Sequence, residues 1–206
     1  MKKFTLVFTM MAVVFAQNAP IDFEADGFGA NWTWTVFENV KNPAVEILAN
    51  PDASAPNTSA TVAKFTALVA GQPWAGCETL HGDDIGTFNL NETNSTIKIM
   101  VYKSVISDVG IKLVKPDSWS LEEIKVANTV VDEWEELTFD FAAQVTDGYD
   151  QLVIFPDFDL AGRTQDNIYI KYRQESSGRP KRWYCLNRFT LSATSSPTFV
   201  GFFVSS

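Results

Sequence analysis

The 206-residue sequence predicts an all-β protein, an antiparallel two-sheet β-sandwich, from three observations. Its ordered-looking segments alternate apolar and polar residues with period two. Turn-forming stretches rich in Gly, Pro, Asn and Asp separate them at short intervals. Beyond Ala16 no segment sustains apolar residues at i, i+3, i+4 and i+7 over three turns. Period two sends alternate side chains to opposite faces, so each segment can cover a core with one face and meet water with the other. With no helical layer available to bury a sheet, two sheets packed face to face are the simplest architecture.

The chain opens MKKFTLVFTMMAVVFAQNAP, in which Lys2 and Lys3 precede a short apolar run and the small residue Ala16. This is the pattern of a cleavable secretory leader over residues 1–16, with a mature chain starting near Gln17. The run is shorter than the roughly 20 apolar residues that cross a bilayer, and nothing later supplies such a stretch, so no membrane span is expected. Residues 17–170 form one sandwich-sized module. NWTWTVF sets Trp32 and Trp34 on one face, toward a core. STIKIMVYKS places Ile97, Ile99 and Val101 opposite Lys98, Met100 and Tyr102, and DVGIKLVK places Val109, Ile111 and Leu113 opposite Lys112. EELTFDFAA adds Leu137, Phe139 and Phe141, with Trp134 just ahead of them. DQLVIFPDFD holds a nearly continuous apolar run that Pro156, lacking a ladder donor, is expected to stop. The turns are NPDASAPNTS, GQP, NLNETN, KPDS and TDGYD.

The formal charge of −9 is unevenly spread. Through Ile170 there are 10 Lys and Arg against 24 Asp and Glu, a balance of −14, whereas residues 171–206 carry 6 against 1, a balance of +5. An acidic body excludes nucleic acid as a partner, because neutralising phosphates needs a basic face. Residues 171–206 are an atypical basic tail, either a genuine anchor for a partner or surface or the product of a reading-frame shift near Ile170. Cys77 and Cys185 offer one bridge in an oxidising compartment, not a disulfide framework.

The usual catalytic constellations are missing. The single histidine, His81, and two cysteines fall short of a tetrahedral zinc site without carboxylate help, and there is no nucleophile elbow or phosphate loop. DEWEELTFD packs Asp132, Glu133, Glu135, Glu136 and Asp140 together and keeps a sandwich-fold glycosidase or lyase open as an alternative. Aromatics say more. Trp74 stands in the loop AGQPWAGCETLHGDDIG beside Glu78, His81 and Asp83, where a ring stacks on a sugar face while carboxylates and amides bind its hydroxyls. A second candidate surface is the outward face of the two central strands, with Tyr102, Met100 and Lys112. Trp119, after the turn in KPDSWSLEE, is expected to be exposed.

The segments IDFEADGFGANWTWTVFEN, NTSATVAKF, WAGCETLHGDDIGTFNL, IKIMVYKSVISDVGIKL, EWEELTFDF and QLVIFPDFDLAGRTQDNIYI together resemble non-catalytic, carbohydrate-binding-like modules of jelly-roll type. Such modules occur in secreted polysaccharide-degrading proteins of Bacteroidetes, often joined to laminarinase-type glycoside hydrolases. The likeness covers about Ile21 to Ile170. It implies a bacterial protein, secreted or at the cell surface, that holds a polysaccharide such as the β-glucan laminarin and works with a catalytic domain on a related longer chain. It further implies a structural calcium held by first-strand acids, matched here by Asp22 and Glu24, and by a last-strand acid whose place Lys171 takes, after which YRQESSGRPKRW is not expected to continue the strand. A structural or adhesive surface module without a glycan ligand is the remaining alternative.

Overall fold

The computed structural model of the chain describes residues 17–176, with side chains through Asn167; the leader, most of the basic tail and Cys185 lie outside the described residues. The strands are β1 Thr35–Phe37, β2 Glu46–Ala49, β3 Thr61–Ala67, β4 Gly76–Glu78, β5 Thr96–Lys103, β6 Asp108–Val114, β7 Ile124–Ala127, β8 Trp134–Asp140, β9 Gln151–Phe158 and β10 Asn167–Ser176. Among the described residues the one helical piece is a 3₁₀ turn, Ala142–Gln144. All strand pairs are antiparallel and form two sheets, β1-β4-β9-β6-β7 and β2-β3-β10-β5-β8. Apart from the β2–β3 and β6–β7 connections, every strand is followed by one in the other sheet. The expected antiparallel sandwich is the observed fold.

Alternation decides which residues meet between the sheets. Ile97, Ile99 and Val101 of β5 and Leu137 and Phe139 of β8 pack against Val109, Ile111 and Leu113 of β6 and Leu152 and Ile154 of β9, all nearly inaccessible to water. Trp32 and Trp34 stack at 6.0 Å at the edge of this core, as their spacing suggests, and Trp34 Nε1 donates to Gly29 O at 2.9 Å. Burying a side chain of this size contributes about 1.5–3 kcal/mol, which makes the apolar layer the main source of stability.

Three local expectations are corrected. First, β5 and β6 do not share a sheet: β5 pairs with β8 and β10, β6 with β7 and β9. The chain crosses between the layers after Lys103, whose core-facing position at the end of β5 leaves it 1% exposed. Second, Pro156 does not stop β9. The register shifts between Asp108/Gly110 of β6 and Phe158/Phe155 of β9, a bulge, and β4 pairs with β9 only at Val153 and Ile154. The proline therefore sits where the ladder asks for no donor. Third, Lys171 does not end the last strand. β10 runs to Ser176 between β3 and β5, with Lys171 opposite Ala63 and Val101 and a register shift between Tyr172 and Gln174. Backbone ladders take any residue with an N–H and a C=O, so a change of side-chain charge leaves the pairing available.

At the end of the core beyond β5, ionic groups replace apolar ones. Lys103 Nζ donates to Ser107 O at 2.7 Å and to Ser107 Oγ at 2.9 Å, and the Ser107 hydroxyl donates to Asp157. Arg163 Nε donates to Asp157 Oδ2 at 2.5 Å and Asn167 Nδ2 to the same oxygen at 3.0 Å. Burial pulls the Lys103 ammonium down to about 8, against the opposing pull of Asp157, Asp108 and Glu135. The folded state thus holds this proton less tightly than the unfolded chain, whose lysine titrates at the ordinary value of 10.5.

Stability from Lys103 should therefore rise with pH between about 8 and 10.5, by up to about 1.4 kcal/mol per pH unit, and be flat below that window. Urea unfolding at pH 7 and pH 9.5 checks this: the parent should gain stability relative to Lys103→Met. A Cβ on Gly76 would lie 2.3 Å from Ile154 O and 2.7 Å from Phe37 Cζ. Gly76→Ala should cost about 1–3 kcal/mol, read as a lower urea midpoint at unchanged m-value.

Candidate functional site

A sandwich has two outer faces, and here they differ. On the second sheet the outward residues Val62, Met100 and Trp134 are 0%, 5% and 6% exposed. Trp134 Nε1 donates to Asp52 O at 2.8 Å, so the connection between β2 and β3 lies over this face. Tyr102 packs edge-on against Trp134 at 5.5 Å. Trp134 is buried, as expected, but in this outer cluster and not between the sheets.

The first sheet presents an open groove of about 240 Å³ lined by Phe37, Glu78, Lys112, Val114, Ser118, Ser120, Gln151, Val153 and Phe155. Its middle is set by register: Val153 of β9 lies opposite Glu78 of β4 on one side and Lys112 of β6 on the other. Ser118 and Ser120 come from the β6–β7 connection, which folds back as Ser120 bridges to Val114. The floor continues as an aromatic row. Phe37 meets Phe155 edge-on at 5.7 Å, Phe155 meets Phe158 edge-on at 5.8 Å, and Lys125 Nζ sits 4.1 Å over the Phe158 ring. A second hollow of about 410 Å³ follows at the far end of β9, with Ile106, Lys125, Phe158, Asp159 and Leu160 on its walls.

The β9 bulge builds this row. Without it, Phe155 and Phe158, three positions apart, would point to opposite faces. The extra residue turns Asp157 inward, where it is 0% exposed, and sends Phe158 out. Sequence reading missed Phe37, Phe155, Phe158 and Gln151. The available signal was the run LVIFPDF, apolar on both faces, with a proline inside it.

Of the expected loop residues, Glu78 lies in the groove, whereas His81 is not among the residues that line it. Burial raises the Glu78 carboxyl above its usual range, and His81 and Lys112 nearby pull it back. His81 Nδ1 is 2.8 Å from Asp150 Oδ1, a carboxylate whose side chain is 5% exposed. Gln151 Nε2 donates to Thr79 O at 2.8 Å, which ties β9 to the end of β4. Trp74 is 41% exposed in the turn closed by Ala75 N donating to Gln72 O, just ahead of β4. Asp83 is exposed in the turn after His81. Lys112 lies in the groove, but Tyr102 belongs to the other sheet, so the two do not share a face as expected. Trp119 is 44% exposed with Lys115 Nζ 4.9 Å over its ring.

The remaining acids are committed elsewhere. Asp22 Oδ1 accepts from Glu24 N and Phe28 N, and the Glu24 carboxylate accepts from Ala60 N, Thr61 N and Thr61 Oγ1. These oxygens fasten loops, and among the described residues no group of three or more His, Cys, Asp or Glu converges on a metal-sized site. On β8, Glu135 accepts from Thr129 and Val130, which outweighs its burial and lowers its pKa, while Glu136 pairs with Lys98 at 2.6 Å. They do not form a facing carboxylate pair.

No protein-family model and no curated protein matches the sequence. Among described residues, no helix is long and apolar enough to cross a membrane. Solved structures to which the chain is similar include a variant of a family 29 carbohydrate-binding module, at 12% identity and a TM-score of 0.48 over 81% of this chain and 94% of that one. Another is the CBM22-1 xylan-binding domain of Xyn10C from Paenibacillus barcinonensis, at 14% identity and 0.45 over 82% and 99%. A third comes from work on promiscuous carbohydrate-binding modules of the β-sandwich superfamily, at 14% and 0.46 over 76% and 61%. The structural neighbours of the chain are carbohydrate-binding modules of β-sandwich type.

Proposed function

We propose that the chain is a non-catalytic carbohydrate-binding module whose site is the outer face of the first sheet. The observation that carries this is the groove itself: an aromatic and aliphatic floor, Phe37, Val153 and Phe155, flanked by Glu78, Lys112, Gln151, Ser118 and Ser120. Sugar rings present an apolar face and a rim of hydroxyls, and this arrangement offers contacts for both. The charges balance across one strand, Glu78 against Lys112, which suits a neutral polyol. A neutral β-glucan such as laminarin is the ligand class we favour. The leader pattern supports export from the cell, where such a module would hold its polysaccharide near a catalytic domain carried by a longer relative.

Affinity electrophoresis through gels holding laminarin, mixed-linkage glucan, alginate or no polysaccharide tests this. Retardation by a glucan is expected, reduced at least tenfold in apparent affinity by Lys112→Ala, and persisting in chelator because Asp22 and Glu24 already serve backbone donors. A folded chain retarded by no polysaccharide would sink the proposal, and release of reducing sugar lost in Glu135→Gln would favour an enzyme instead.

Hydrogen bonds from sugar hydroxyls to an ionised carboxylate are roughly twice as strong as those to a neutral group. With the Glu78 carboxyl raised, affinity should fall as pH drops toward the carboxylate range, starting above the ordinary value of 4.5. Titration calorimetry on the parent and on Glu78→Gln checks it. The variant should bind weakly and without this pH dependence.

A further inference from the structure

The connection between β3 and β4 carries the exposed Trp74, yet its backbone is held from below by groups with almost no access to water. Arg163, with a side chain 1% exposed, donates from Nη1 to Gln72 O at 2.8 Å, lies 3.5 Å from Leu68 O, and reaches Pro73 O from Nη2 at 3.4 Å. Its Nε and Nη2 also bind the Asp157 carboxylate and the Asp157 carbonyl. Asp159 N donates to the same Pro73 carbonyl at 3.2 Å, and Asp166 Oδ1 accepts from Val69 N at 2.7 Å. One guanidinium thus ties the turn bearing Trp74 to the β9 bulge that sends Phe158 outward.

A buried ion pair is a weak source of stability, since packed apolar groups of similar volume do as well or better. Its planar fork does fix geometry, because five donors set in one plane dictate where several carbonyls must lie. An exposed tryptophan on a loose loop would lose conformational entropy on meeting a ligand, and a loop already pinned avoids that loss.

We propose that Arg163, anchored by Asp157, is a positioning residue that holds Trp74 in place as a preformed ligand contact at the Asp159 end of β9. This rests on the glycan site proposed above and extends it to the tryptophan turn. Arg163→Lys keeps the buried positive charge opposite Asp157 and removes the fork. The expected result is a chain with parental near-ultraviolet dichroism, at least tenfold faster amide exchange confined to residues 68–75, and readier acrylamide quenching of the emission component that Trp74→Phe removes. Glucan affinity should fall to that of Trp74→Ala, with no further loss in the double variant. Unchanged exchange and quenching in a folded Arg163→Lys would overturn the proposal, as would parental affinity alongside a loosened loop. If Arg163→Lys does not fold, Asp166→Ala loosens the same loop from its exposed side and is read in the same way. Exchange and quenching are measured without ligand, so a parent that binds no glycan defeats the site assignment while the positioning of Trp74 is still decided.

Discussion

The irregularity in β9 is the constraint on which the rest of the first sheet's outer face depends. A regular strand would place Asp157 on the outer face with Phe155. The bulge turns its carboxylate into the core, where an unpartnered charge would cost several kcal/mol. Arg163, Ser107 and Asn167 converge on it for that reason, and each comes from a different segment: the connection before β10, the crossover between sheets, and β10 itself. One misfit residue in one strand thereby fixes the end of the sandwich, the crossover after Lys103 and the outward turn of Phe158.

The two outer faces show how a ten-stranded sandwich without a helical layer deals with excess apolar surface. Both carry large residues outward: Met100 and Trp134 on one, Phe37, Val153 and Phe155 on the other. The β2–β3 connection seals the first set. On the first sheet the β6–β7 connection only rims the surface, with Ser118 and Ser120 beside Lys112 and Gln151, and a groove remains. The floor residues Val153 and Phe155 are themselves only 5% and 8% exposed, so the difference between the two faces lies in the concavity and its polar rim rather than in bare apolar area.

Much of this was legible in the sequence, for identifiable reasons. Period-two alternation placed Ile97, Ile99, Val101, Val109, Ile111 and Leu113 in the core, since the pleat alone decides facing. Which strands are neighbours is a long-range matter that alternation does not encode, and so Tyr102 and Lys112 were put on one surface although their strands belong to different sheets. Glu78 and Lys112, which line the groove, were legible as candidates for different reasons: Glu78 as a carboxylate in the Gly-rich and Pro-rich stretch around Trp74, Lys112 as an outward position of an alternating strand. Phe155 and Phe158 were not, because an aromatic in an apolar run reads as core until a bulge is known to re-aim it. The charge change at Lys171 resembled an end to the fold because side chains are what a sequence displays, whereas the ladder between β3 and β5 is made by the backbone.

The charge distribution bears on what the groove can hold. The described body is strongly acidic, and a field of that sign repels a polyanion during approach. Within the groove, Lys112 is offset by Glu78, and Arg163, the one arginine with a described side chain, is spent on Asp157 and on loop carbonyls. Among the described residues no cluster of free guanidinium groups lines the groove to take carboxylates or sulfates in pairs. What the groove offers a ligand is contact with Phe rings and short-range hydrogen bonds, neither of which depends on steering across a Debye length. Those interactions discriminate by the pattern of hydroxyls and the flatness of the ring, which is why the function proposed above takes an uncharged sugar rather than an acidic one as the ligand.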